Sequence, residues 1–279
     1  MENSWIGGRF IFDPAKYRQF RRKYGIVIKA VIIAAAIAGL KYYVDLMGLS
    51  IIPMNSLITS LVGGIFFIMG ILFAGAIADY KESEKVPGEL SASIKSMYSD
   101  TKVIPMAKKD QKLLAEMRVN IVALLSTINS NFRRNVWKLK EISQAIDMVT
   151  DNIRVLAEKG VTPGYLTKFR SELTSIDRIC HRVDTITETT FLPAAYTIAQ
   201  VAIISILSLL LFVDFNITFG APIILGVAAA ILVSLVFLIN DVDSPFEVNQ
   251  NSYADVDLSL LFSLEEYMKS ITPGVKALK

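Results

Sequence analysis

The sequence predicts an all-α membrane protein with four transmembrane helices and a continuous helical cytoplasmic body. Three observations carry that expectation. The first is composition: 53% of residues are hydrophobic and the mean hydropathy is +0.46, above the usual range of soluble domains. The second is concentration, because the apolar residues gather in four runs, each meeting the roughly 20 residues that a spanning helix needs. The third is the placement of Lys and Arg. They lie beside the first run and in the long stretch between the second and third, and hardly at all in the two short connections.

The N-terminal segment, 1–25, carries Arg18, Arg21, Arg22 and Lys23 just ahead of the first run, Ile26–Met47. Lys29 and Lys41 sit near the ends of that run, where long side chains snorkel to the interface. The run is too long for a cleaved signal peptide, and no small-residue cleavage site precedes a soluble domain. The second run, Ile51–Ala78, holds no charged residue. Transmembrane helices 1 and 2 thus occupy 26–78. Helices 3 and 4 occupy 191–240, as the runs Phe191–Val213 and Ile217–Asn240 separated only by "DFN". The basic bias places both termini and the middle segment in the cytoplasm, so the expected location is the cell membrane. Tyr42 and Tyr43 would mark the outer interface, Tyr17 and Tyr24 the inner one. The same bias accounts for the net charge of +3 without nucleic acid.

The cytoplasmic region, 79–190, reads as helical. Leu113, Met117, Ile121, Leu124, Ile128, Val136, Leu139, Ile142, Ile146, Val149, Ile153 and Leu156 recur at the spacing of one buried helix face. "NSN" (Asn129–Asn131) is the expected break. Gly160 stops the run, and "TPG" restarts one with Thr162 as N-cap and Pro163 at the first helical position. Leu166, Phe169, Leu173, Ile176, Val183 and Ile186 continue the stripe to the third span. No strand pattern, internal repeat or flexible linker is visible. The tail, 241–279, closes with an amphipathic segment, "VDLSLLFSLEEYM".

Motifs of catalysis are missing: no phosphate loop, HExxH, GxSxG or Cys/His cluster. The spans hold no paired ionisable groups away from their ends, where a membrane enzyme or proton-coupled transporter would keep them. The chain is therefore not expected to be an enzyme or to carry a cofactor or metal. Cys180 excludes an intramolecular disulfide and reads as a small buried thiol, and His181 beside it cannot assemble a metal site alone.

The second span is the most informative. It would be roughly 42 Å long at 1.5 Å per residue, longer than the hydrocarbon core. Gly63, Phe67, Gly70, Ile71, Ala74 and Ala78 fall on one side of it. Small residues with one large aromatic have two readings: close helix–helix packing, or a pore lining that gates by wetting and dewetting when repeated about an axis.

In order along the chain, "RKYGIVIKAVII", "IFFIMGILFAGAIADYKES", "TFLPAAYTIAQ" and "INDVDSPF" resemble the first-helix entry, second helix, third-helix opening and fourth-helix exit of the bestrophins, more narrowly their prokaryotic relatives. The resemblance implies a homopentamer whose second helices line a central pore. Phe67 and Ile71 would form its neck, Gly63 and Gly64 its outer side, with Gly70 and Ala74 completing the lining. Anions would then be stabilised by ring edges and helix dipoles. It also implies that the fourth helix ends at a Pro-Phe turn and that the tail wraps the assembly. Pro245 would end the helix, Phe246 would bury near Tyr80, and the amphipathic segment would serve a neighbouring subunit. Asp241 and Asp243 complete this clasp, as helix caps or, with main-chain carbonyls, as metal ligands. Animal members follow their Pro-Phe with a calcium-binding acidic cluster. Here Glu247-Val248-Asn249-Gln250 stands there, too poor in carboxylates for calcium. The aromatic pair usual after the second helix is replaced by Asp79-Tyr80-Lys81.

Two classes of function follow. One is a bestrophin-like homopentameric channel in membrane lipid, passing chloride or other anions. Its variant passes cations, because Asp79 and Glu82 could ring the inner mouth and acidic rings favour cations. The other class is a non-conducting scaffold or sensor whose helical body binds a cytoplasmic partner.

Overall fold

The structure, a computed structural model, describes residues 14–107, 110–188, 193–217, 220–247 and 255–272. The expected start of the third span at Phe191 and the tail residues Val248–Gln250 lie outside them. Among the described residues the helices are α1 (Pro14–Leu46), α2 (Ser56–Ser83), α3 (Val86–Val103), α4 (Gln111–Arg134), α5 (Leu139–Glu158), α6 (Pro163–Glu188), α7 (Pro193–Leu211), α8 (Gly220–Val242) and α9 (Ser259–Ile271). The strands β1 (Ile52–Pro53) and β2 (Val213–Asp214) pair in parallel, Ile52 opposite Val213 and Pro53 opposite Asp214. This pair is absent from the sequence reading because two residues cannot display a period of two.

The chain divides into two compact units. The first holds α1, α2 as far as Phe73, α7, α8 up to Asp241, and the strand pair. Among the described residues, four helical stretches are long and apolar enough to cross a membrane: Tyr24–Leu46, the run opening at Ser56, Ala194–Leu211 and Gly220–Val242. Within this unit the buried residues of α2 are Ile58, Met69 and Leu72. Gly226 of α8 lies close against α1, since a Cβ there would lie 3.2 Å from the Ala38 Cβ.

The second unit contains the last turns of α2, then α3 to α6, and α9. Here α3 packs on α6 and α4, α5 packs on α4 and α6, and α9 lies on α3 and α4. Periodicity explains the core: Met117, Ile121, Leu124 and Ile128 of α4 meet Ile142, Val149 and Ile153 of α5 and Phe169, Ile176 and Val183 of α6, all buried. The break expected at Asn129–Asn131 falls later, at Asn135, which takes the left-handed conformation (φ 51°) as the C-cap of α4. Asn129 and Asn131 stay helical because their amides are used tertiarily and locally. Asn129 Nδ2 donates to the Leu261 carbonyl at 3.0 Å, and Asn131 Nδ2 to the Thr127 carbonyl at 2.9 Å. Gly160, at φ +77°, ends α5 in a conformation that only glycine adopts without steric cost, and α6 starts at Pro163.

Candidate functional site

Gly63, Gly64, Phe67, Gly70, Ile71, Ala74 and Ala78 are all exposed on α2, Phe67 by 70% and Ile71 by 57%. A Cβ built on Gly63, Gly64 or Gly70 would meet nothing within 4 Å. Among the described residues, the small residues on this face therefore serve no helix packing. The exposed sides of α7 and α8 differ in kind, carrying Ile198, Val201, Ile204, Ile223, Ile224, Val227 and Ile231. Bulky aliphatics suit contact with lipid chains, whereas a Gly/Ala face interrupted by one aromatic leaves room beside the backbone.

Asp79 and Glu82, expected together at an inner mouth, sit in different surroundings within the second unit. Glu82 is paired with Arg182 of α6 and accepts from Lys85 Nζ at 3.4 Å. It borders a cavity with Val86, Glu89, Arg178 and Ile179. Asp79 is exposed and lines a separate cavity of about 240 Å³ with Thr185, Ile186, Val242, Asp243 and Pro245.

Helix α8 stops at Val242, two residues before Ser244, whose place ahead of Pro245 disfavours helical backbone. Phe246 is buried, its ring centroid 5.5 Å from that of Phe132, which lies 4.9 Å from Trp137. The Val256 amide donates to the Pro245 carbonyl at 2.9 Å. Beyond this turn, α9 packs its buried face on the chain's own α3 and α4. Its buried face, Leu261, Glu265 and Met268, matches a polar row on α4. Glu265 accepts from Ser126 Oγ (2.9 Å), Asn129 Nδ2 (2.8 Å), Arg133 (2.8 Å) and Lys269 Nζ (2.5 Å). Burial acts to raise its carboxyl pKa, but Lys269, Asn129, Arg133 and Ser126 together outweigh it and hold the group below the ordinary carboxylate range. At the end of α9, Tyr98 Oη and Thr272 Oγ1 share a hydrogen bond of 2.7 Å. Among the described residues no group of three or more His, Cys, Asp or Glu is placed to share an ion. Cys180 is buried, and burial pushes its thiol up to about 12, whereas His181 is exposed, 3.6 Å from Asp177.

In the first unit, Lys41 departs from expectation most. It does not snorkel; its exposure is 0%. Its Nζ reaches Asp45 Oδ1 (2.6 Å), Ser50 Oγ (3.1 Å) and the carbonyls of Leu211 (3.2 Å) and Val213 (2.6 Å). Ser50 Oγ donates to the same carboxylate oxygen, and the Phe215 ring centroid lies 5.4 Å from Nζ. Carbonyls freed where α7 ends beside β2 are natural acceptors for a cation. Sequence offered one signal, Asp45 one helical turn after Lys41.

No family profile and no curated protein matches the sequence itself. Solved structures do match the fold. One structure of a bacterial bestrophin homolog from Klebsiella pneumoniae, a single-site variant, aligns with a TM-score of 0.73 at 14% identity, covering 88% of this chain and 99% of that one. The fold is bestrophin-like. Two further structures of that bacterial bestrophin homolog agree, with TM-scores of 0.72 and 0.71 at 13% identity, covering 88% of this chain and 99% and 98% of theirs. At such identity the likeness is one of fold. Which bestrophin-like features this chain uses must be read from its own residues.

Proposed function

We propose that the chain is the subunit of a bestrophin-like ion channel, a homopentamer in the cell membrane with both termini cytoplasmic. It passes chloride and other anions through a hydrophobic neck formed by α2, with Phe67 and Ile71 at the narrowest point. One observation carries this reading: among the described residues nothing covers the charge-free face of Gly63, Phe67, Gly70, Ile71 and Ala74, and a Cβ at its glycines would enter open space. Five copies around an axis turn that face into a lumen. Ring edges and aligned helix dipoles there stabilise an anion without fixed basic groups. Apolar walls set a dewetting barrier.

Asp79 supports the cation-passing variant, since its carboxylate is exposed near the end of α2. Glu82 adds little to that variant because Arg182 and Lys85 balance its charge. Purified protein in planar bilayers under a potassium chloride gradient separates the two. The reversal potential should lie toward the chloride equilibrium value. A value toward the potassium one establishes the cation pore, and silent bilayers from correctly assembled protein favour the non-conducting scaffold.

A further inference from the structure

We infer that the turn between α4 and α5 docks on the phospholipid headgroups of the membrane that the chain crosses, with Arg134 and Lys140 meeting lipid phosphates and Val136 entering the interface. Only the membrane spans are needed for this, not conduction. Helices α3 to α6 alternate in direction. Lys168, early in α6, lies 2.8 Å from Asp100, late in α3, and Asn120, early in α4, donates to Asn152, late in α5, at 2.7 Å. The connections therefore gather at two ends of the second unit. At one end the α3–α4 and α5–α6 connections meet, Lys159 Nζ lying 3.5 Å from Asp110.

The α4–α5 turn occupies the other end, where the spans enter and leave. Asn135, Val136 and Trp137 line a cavity of about 370 Å³ with Ile186, Pro245 and Phe246. Ile186 stands just ahead of α7, which begins at Pro193, and Pro245 just after α8, which ends at Val242. The same Ile186 and Pro245 border an adjoining cavity with Ala76 and Asp79, where the apolar part of α2 ends. Three span ends thus surround the turn, and Phe246 braces it through Phe132 and Trp137, with ring centroids 5.5 and 4.9 Å apart.

The composition of the turn suits a headgroup layer. Val136 is 51% exposed, and the half-buried Trp137 follows it; an indole beside an exposed aliphatic is typical of the membrane–water boundary. Four cations, Arg133, Arg134, Lys138 and Lys140, stand among four carboxylates, Glu141, Asp243, Glu247 and Glu265, so the turn exerts no strong long-range pull and its cations act singly. Arg133 holds Glu265 at 2.8 Å and Lys138 holds Glu141 at 3.0 Å. Asp243 and Glu247 are engaged in interactions of their own. Arg134 and Lys140 are exposed and pair with no group among the described residues. Guanidinium and ammonium donors in that position match phosphate oxygens.

Two valines supply the test. Cys180 is the single cysteine and is buried, so Val136→Cys and Val103→Cys each offer one accessible thiol for an environment-sensitive dye. Val103, 65% exposed, ends α3, a helix of 18 residues that carries the chain roughly 27 Å from the end of α2. In vesicles of phosphatidylcholine and phosphatidylglycerol, a headgroup nitroxide should quench most of the fluorescence at position 136 and little at position 103. In detergent, added phosphatidylglycerol should change the signal at position 136 saturably, whereas diacylglycerol, or inorganic phosphate at constant ionic strength, should not. Arg134→Gln and Lys140→Gln should each raise the lipid midpoint about fivefold, the effect of one cation at an anionic surface. Neither side chain has a partner to lose, so both variants should melt as the parent does. Should Val136→Cys melt lower, Trp137 reads the same quencher and lipids in a Trp5→Phe background, since the chain has two tryptophans. The proposal is overturned if position 136 is quenched no more than position 103, or if diacylglycerol or free phosphate reproduces the response. A midpoint unmoved in both glutamine variants overturns it as well.

Discussion

Two buried charges, one in each unit, are held by different means. Lys41 is met by a single carboxylate, a hydroxyl and two main-chain carbonyls from a distant connection. Glu265 is met entirely by side chains, and three of the four project from α4. The first arrangement works only when the loop carbonyls are in place, so it measures whether the two helix connections of the first unit are correctly docked. The second works wherever α9 lies along α4, so it fixes the register of one helix on another. In the Lys41 cluster, Asp45 Oδ2 is buried without a partner among the described residues, and the carboxylate is met by one cation and the Ser50 hydroxyl. Glu265 has two basic partners, both half-exposed. The loss of either leaves the other.

Breaking the less redundant cluster should have the larger effect. Lys41→Met removes the cation and strands Asp45, which should cost about 3–5 kcal/mol, read as a drop in melting temperature in detergent. Adding Asp45→Leu should recover part of that loss, because a charge-free pair no longer strands a carboxylate. A melting temperature unchanged by Lys41→Met would mean the cluster holds nothing. Phe246→Ala should cost about 3 kcal/mol, at the lower end for a buried ring because the cavity beside it allows relaxation. It isolates the apolar part of the turn that precedes α9 from the ionic part. Denaturant melts comparing it with Glu265 variants would show whether the two parts add.

Glu265→Gln should have a smaller effect, about 1–3 kcal/mol at neutral pH, since the shape persists and the charge-assisted bonds weaken. Its pH dependence has a definite sign. The folded carboxyl has a depressed pKa, so its contribution is complete above the unfolded value and is lost as pH falls through the folded one. The gap in melting temperature between wild type and Glu265→Gln should therefore stay constant at neutral pH. It should close only at and below the ordinary carboxylate range. A gap that closes nearer neutrality would contradict the hydrogen bonding described for this carboxylate.

The same contrast shows what was readable in the sequence. The stripe from Leu113 to Ile186 was legible because a helix repeats its buried face every three or four residues, and nearly all of its members lie in the core of the second unit or against it. Gly160 and Pro163 were legible because their backbone preferences are local. Lys41 was not, since a lysine at the end of an apolar run looks the same whether its ammonium meets water or the Leu211 and Val213 carbonyls. Glu265 was hidden for a related reason: its partners Ser126, Asn129 and Arg133 lie on another helix, and Asn129 had suggested a break. On α2 the sequence displayed which residues share a face. It could not say whether other helices of the chain cover that face; the exposure of Gly63, Phe67 and Ile71 answers that among the described residues.

The most direct test concerns the α2 face. Chloride efflux from liposomes loaded with purified protein should be compared between wild type and a Phe67→Ala/Ile71→Ala variant, with melting temperatures measured on the same preparations. If the two side chains form a hydrophobic neck, wild type conducts, the variant conducts faster because the dewetting barrier falls, and both melt at nearly the same temperature. If they instead pack between subunits or helices, truncating the phenylalanine alone should destabilise by about 3–5 kcal/mol. A variant that melts lower or fails to assemble, with no gain in efflux, would contradict the assignment of α2 as the pore helix.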